Sequence, residues 1–143
     1  MKTTLRILAL LMVAVLAVGV LAACAPNKDP DKAKAALEKN GYTVYKTSGY
    51  GENLVSAALG GDADVDCTVI GSKKVTVDGK DDYIGVSIIY YKTTDAAKKA
   101  YDEAKAEYDK EKEKDADSVK DIKIGRSGKM VYSGNKEAVK AAH

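Results

Sequence analysis

The 143 residues contain no tryptophan and no phenylalanine, and all nine aromatic residues are tyrosine. Histidine occurs once, as His143 at the last position, where chains usually fray. No Ser-His or Cys-His couple can then be built from ordered structure, which removes the commonest route to an activated nucleophile. Zinc is disfavoured for the same reason, and no cofactor is implied. Cysteine occurs twice, as Cys24 and Cys67, and proline twice, as Pro26 and Pro30. No internal repeat and no low-complexity block is evident.

What is present at the start is a secretory signal. Lys2 and Arg6 precede an uncharged apolar stretch from Ile7 to Ala22, and small residues follow just before Cys24. The stretch is at the short end for a spanning helix, which needs ~20 residues. Leu21-Ala22-Ala23-Cys24 resembles the lipobox of bacterial lipoproteins. The resemblance implies a diacylglyceryl group on the Cys24 sulfur and cleavage after Ala23, so residues 1–23 are a signal peptide and Cys24 the lipidation site. It also implies a lipid bilayer as the first partner and the extracytoplasmic face of a cell membrane as the location. Each buried methylene contributes ~0.8 kcal/mol, so two acyl chains hold a protein stably where one holds it marginally.

Two further exclusions follow from maturation. Of 23 basic residues the signal removes Lys2 and Arg6, leaving 21 against 21 acids. A formally neutral chain offers no electrostatic case for nucleic acid. With Cys24 acylated, Cys67 has no cysteine to pair with, and stability must come from packing. About 120 residues remain, enough for one domain with a modest core.

Residues 24–28 read as a short tether and 29–143 as a single α+β domain. Asp29 can cap a helix, Pro30 suits its first position, Ala33, Ala36 and Leu37 form its apolar stripe, and Asn40-Gly41 stop it. Tyr42, Val44 and Tyr45 open a strand. Residues 53–59 lean to a strand, with a short helix as the alternative. Val65 to Ile70 alternate as a strand, Gly71 to Asp82 is polar with a turn signal at Asp78-Gly79, and Tyr83 to Tyr91 is apolar on both faces, as in the centre of a sheet. Thr93-Thr94 starts the longest helix, from about Asp95 to Lys114, whose Ala97, Ala100, Tyr101, Ala104 and Tyr108 share a face. Ile122 to Ile124 and Met130 to Tyr132 make a hairpin around Gly125 to Gly128, and a last helix places Ala138 and Val139 inward. The expected fold is a two-layer α+β domain, a mainly antiparallel sheet of four to five strands with helices packed on it. The opening KAALEKNGYTV and the closing GKMVYSGNKEAVKAA are similar to small uncharacterised lipoproteins of anaerobic Gram-positive bacteria, a likeness that implies no activity.

The remaining motifs read as structure. Asp62, Asp64 and Asp66 alternate as at the start of a calcium loop and are the weak candidates for a metal site. Counting from Asp62, however, the sixth position is Cys67 instead of glycine and the twelfth Lys73 instead of glutamate. A solvated strand edge fits them better. Gly125-Arg126-Ser127-Gly128-Lys129 lacks the spacer and the hydroxyl residue of a phosphate loop and reads as a turn. Cys67 reads as a buried strand residue instead of a nucleophile. Tyr42, Tyr90, Tyr101 and Tyr108 fit core positions, and Tyr50, between glycines, is the candidate for an exposed contact.

The function expected from these features is a membrane-anchored, non-catalytic binding or adaptor domain for an envelope protein or a small ligand. The alternative is a small hydrolase of the cell envelope using carboxylates alone, for instance Asp62, Asp64 or Asp66 with one other acid.

Overall fold

The computed structural model describes residues 25–48 and 64–143. The expected signal peptide (residues 1–23), Cys24, Tyr50, the 53–59 segment and Asp62 lie outside the described residues. The elements run α1 (Pro30–Lys39), β1 (Thr43–Ser48), β2 (Val65–Val77), β3 (Lys80–Tyr91), α2 (Thr94–Lys114), α3 (Ala116–Val119), β4 (Ile122–Ser127), β5 (Met130–Asn135) and α4 (Lys136–Ala141). All five strands join one antiparallel sheet in the order β1-β2-β3-β5-β4. The chain is an α+β domain with an antiparallel sheet and helices packed on it, as the hydrophobic pattern implies.

Local chemistry explains where the helices begin. The Asp29 carboxylate accepts the Asp31 and Lys32 N–H groups at 2.9 and 3.2 Å, with Pro30 in the first turn where its missing N–H costs nothing. Thr93 caps α2 by accepting the Ala96 N–H at 3.1 Å. The surface of α2 carries the Glu107–Lys110 pair at 2.6 Å and a Lys105–Asp109 pair at 2.8 Å. Both are exposed and contribute little to stability.

Strand alternation sorts the core onto the two faces of the sheet. Val69, Val86, Ile88, Tyr90, Met130 and Tyr132 meet Ala33 and Leu37 of α1 and Ala138 and Val139 of α4. On the other face Ile89, Tyr91 and Val131 meet Ala96, Ala97, Tyr101 and Ala104 of α2. The long strand expected at the centre does lie there, with β2 on one side and β5 on the other. The alanine stripe lets α2 approach the sheet closely, and Tyr101 supplies most of the volume on that side.

Four features depart from the sequence reading. The polar stretch from Gly71 to Asp82 is strand instead of loop, apart from Asp78-Gly79. Those two residues, at φ 51° and 75°, make a two-residue turn of the kind whose twist matches its flanking strands. β1 reaches only Ser72 of β2, and β5 only Val86 of β3. Lys73 to Val77 and Lys80 to Gly85 therefore leave the sheet as a two-stranded arm. Polarity misled the reading because most side chains of the arm are exposed and only Ile84, near its base, packs against the core.

Second, a bulge between Val65 and Cys67 breaks their alternation. Val65 packs on the α2 side while Cys67 packs on the α1 side, and the extra residue, Asp66, is exposed. Third, the residues expected to form a tether are built into the domain. Pro26 is buried and Ala25 packs against the α1 side of the core. The Asn27 N–H donates to the Ala142 carbonyl at 2.8 Å, and the Asn27 carbonyl accepts the Tyr90 hydroxyl at 2.7 Å. The second hairpin also turns later than expected, at Gly128-Lys129, with Gly125 and Arg126 inside β4.

Candidate functional site

Where α1 ends, the chain must turn back into β1, and this junction forms one wall of an open cleft. Asn40 closes the helix by donating its carboxamide N–H to the Ala36 carbonyl at 2.8 Å and to the Ala141 carbonyl of α4 at 3.3 Å. Gly41 follows at φ 81° and Tyr42 enters the core. The cleft, about 230 Å³, is lined by Asn40, Tyr42, Lys73, Glu137, Lys140 and Ala141. Lys73 comes from the base of the arm, and Glu137, Lys140 and Ala141 come from α4.

Its electrostatics are mixed. The Lys73 ammonium donates to the Asn40 carbonyl at 3.2 Å and stands 5.5 Å from the centroid of the Tyr42 ring. Ammonium over an aromatic face is attractive. The Tyr42 hydroxyl is buried without a hydrogen-bond partner among the described residues. Burial, with the nearby Glu137 carboxylate adding to it, pushes the Tyr42 phenol above its ordinary range, so it remains a protonated donor at neutral pH. The cleft is thus lined by two ammonium groups, one carboxylate and a carboxamide, with Tyr42 in its wall and the phenol hydroxyl buried.

The residues singled out from the sequence lie elsewhere. Cys67 is buried, and its thiol is raised by desolvation first and by Asp66 second, with Lys46 opposing. Such a thiol is a poor nucleophile. Asp64 precedes β2, where its carbonyl accepts the Lys92 N–H at 2.7 Å, and Asp66 occupies the bulge. Among the described residues no three His, Cys, Asp or Glu side chains converge on a metal position. Arg126 is engaged within its own hairpin, donating to the Gly128 carbonyl at 3.0 Å and standing 5.9 Å from the Tyr101 ring centroid.

Tyr42, Tyr90 and Tyr101 are core residues as the alternation implies, and Tyr108 is half-buried with its hydroxyl 3.5 Å from the Val119 carbonyl. Sequence reading missed Asn40, Lys73, Glu137 and Lys140 as neighbours. They come from three segments up to a hundred residues apart, and lysine and glutamate on a helix surface carry no spacing signal of their own.

Among the described residues no helix is long and apolar enough to cross a membrane. No protein-family model, curated protein or solved structure matches the chain.

Proposed function

We propose that the chain is a membrane-anchored extracytoplasmic binding domain, held by lipid on Cys24 and non-catalytic, whose cleft takes a small group bearing both charges, such as an amino acid or a peptide end. The observation that carries the binding half is the cleft itself. Lys73 and Lys140 stand where a carboxylate could be met and Glu137 where an ammonium could be met. Opposite charges at short range favour recognition of a dipolar ligand, and none of these side chains forms a nucleophile–base couple.

The anchoring half rests on Leu21-Ala22-Ala23-Cys24 at the end of an apolar run. Mass spectrometry of the mature chain from a bacterial host should find Cys24 at the amino end with a diacylglyceryl adduct. Cys24→Ser should abolish the adduct and release the protein from membranes.

Binding is tested by heteronuclear NMR titration with glycine and with alanyl-alanine. Shifts should centre on Tyr42, Lys73 and Glu137 and be lost in Glu137→Gln. Saturating additions that move no cleft resonance would refute the ligand class, whereas an unmodified amino end would refute the anchor.

A further inference from the structure

The four residues between Cys24 and the Asp29 cap give the anchor almost no slack. Ala25 is packed, Pro26 is buried, and Asn27 is held at three atoms. Its N–H donates to the Ala142 carbonyl, its carbonyl accepts from Tyr90, and its side-chain oxygen accepts the Asp29 N–H at 3.0 Å. Only Lys28 of the four is exposed.

Consecutive Cα atoms are ~3.8 Å apart, so the Cys24 Cα lies within about 11 Å of that of Asn27. Tyr90, which grips Asn27, is on β3, and the arm's turn at Asp78 lies twelve residues back along the same strand. At ~3.3 Å per residue this is roughly 40 Å of strand. After allowance of about 11 Å for the three-residue reach of the amino end and about 12 Å for the tyrosine side chain, its hydrogen bond and the Asn27 carbonyl, roughly 17 Å or more separates the anchor from the tip of the arm.

We propose that lipid on Cys24 docks the domain directly onto the phospholipid surface in one orientation, with the pole carrying Ala25 to Lys28 at the headgroups and the β2–β3 arm directed away from them. The inference rests on the lipidation proposed above. A flexible tether would let the domain tumble, but a segment bonded to Ala142 and Tyr90 keeps the attachment point at one pole of the sheet. The arm, with Val77 53% and Tyr83 45% exposed on its opposite faces, then stands clear of the membrane.

The test uses the full chain matured with its lipid in a bacterial host and placed in phosphatidylethanolamine–phosphatidylglycerol vesicles containing a headgroup nitroxide lipid. A fluorophore is attached at Lys28→Cys or at Lys80→Cys, each in a Cys67→Ala background whose melting matches the unlabelled protein. Quenching at position 28 should exceed that at position 80 at least threefold. Inserting ten Gly/Ser residues after Cys24 gives a linker of about 17 Å r.m.s. length and should bring the two positions to similar quenching.

Equal quenching before insertion, in protein that floats with vesicles and carries the adduct, overturns the orientation and leaves the anchor intact. A contrast that survives insertion overturns the role of the short connection. Protein that neither floats nor carries the adduct overturns both readings.

Discussion

Replacing Gly134 by alanine tests how the sheet is held together at its centre. Gly134 sits opposite Val86 where β5 crosses β3, and it has an ordinary backbone conformation. A methyl group there would run into the Gly85 carbonyl oxygen and approach the Val86 Cα to 2.6 Å. Both obstacles are backbone, so no side-chain rotation relieves them, and β5 must move away from β3.

Overpacking a well-filled interior costs about 1–3 kcal/mol, and a backbone obstacle in the central strand pair belongs at the top of that range. Gly79 supplies the control: nothing lies within 4 Å of its Cβ position, but its φ of 75° penalises any L side chain. Gly79→Ala should therefore cost about 1 kcal/mol through conformation alone. Urea unfolding followed by circular dichroism should place Gly134→Ala at about 3 kcal/mol below wild type, with Gly79→Ala between. If Gly134→Ala lost no more than Gly79→Ala, the close approach of the two strands would not be what demands glycine.

Three further outcomes are expected. Tyr42→Phe should raise stability by about 1 kcal/mol, because it removes a buried hydroxyl that makes no hydrogen bond, whereas Tyr90→Phe should lower it by about as much by freeing the Asn27 carbonyl; the same unfolding assay reads both. Cys67 should react with a thiol reagent at least a hundredfold more slowly in the folded protein than in urea, in keeping with its burial and raised thiol. Stability should fall at alkaline pH. Tyr42, Tyr90 and Cys67 are all raised by burial, so the unfolded chain loses these protons first. Their contribution is complete below the unfolded values of about 8.5 for the thiol and about 10 for the phenols, and it is lost as pH rises past them. A thermal melt that stays constant from pH 8 to 11 would contradict this.

Apart from the four-residue α3, which was not expected, the helices were legible because their signals are local. Asp29-Pro30, Asn40-Gly41 and Thr93 each act within four residues, and the alanine stripe of α2 repeats at the helical period. The centre of the sheet was legible too, since Tyr83 to Tyr91 has apolar residues at successive positions, as a strand covered on both sides must. The arm was not legible, because most of its side chains stay in solvent and only Ile84, near its base, packs against the core. Only Asp78-Gly79 betrayed it. The bulge at Asp66 hid behind an unbroken alternation in the sequence, since one extra residue in β2 is defined by its partner strand. The cleft is a product of tertiary contact, with Asn40 and Ala141 brought together by a single hydrogen bond across the packed helices.

The absence of phenylalanine connects composition to architecture. Each buried aromatic ring here brings a hydroxyl, which burial penalises unless a partner is found. At Tyr90 the partner is the Asn27 carbonyl, so a strand in the middle of the sheet reaches the residues next to the proposed acylation position. At Tyr108 the Val119 carbonyl is at the limit of hydrogen-bonding distance and joins α2 to the short α3 turn. At Tyr42 no partner stands among the described residues, and the ring instead lies beneath the Lys73 ammonium at the edge of the cleft. A phenylalanine would fill the same volume at each position with no hydroxyl to satisfy. It would also give up the grip on Asn27. The tyrosines therefore link the core to both proposed contacts of the domain, the lipid at one pole and the ligand at the junction of α1, β2 and α4.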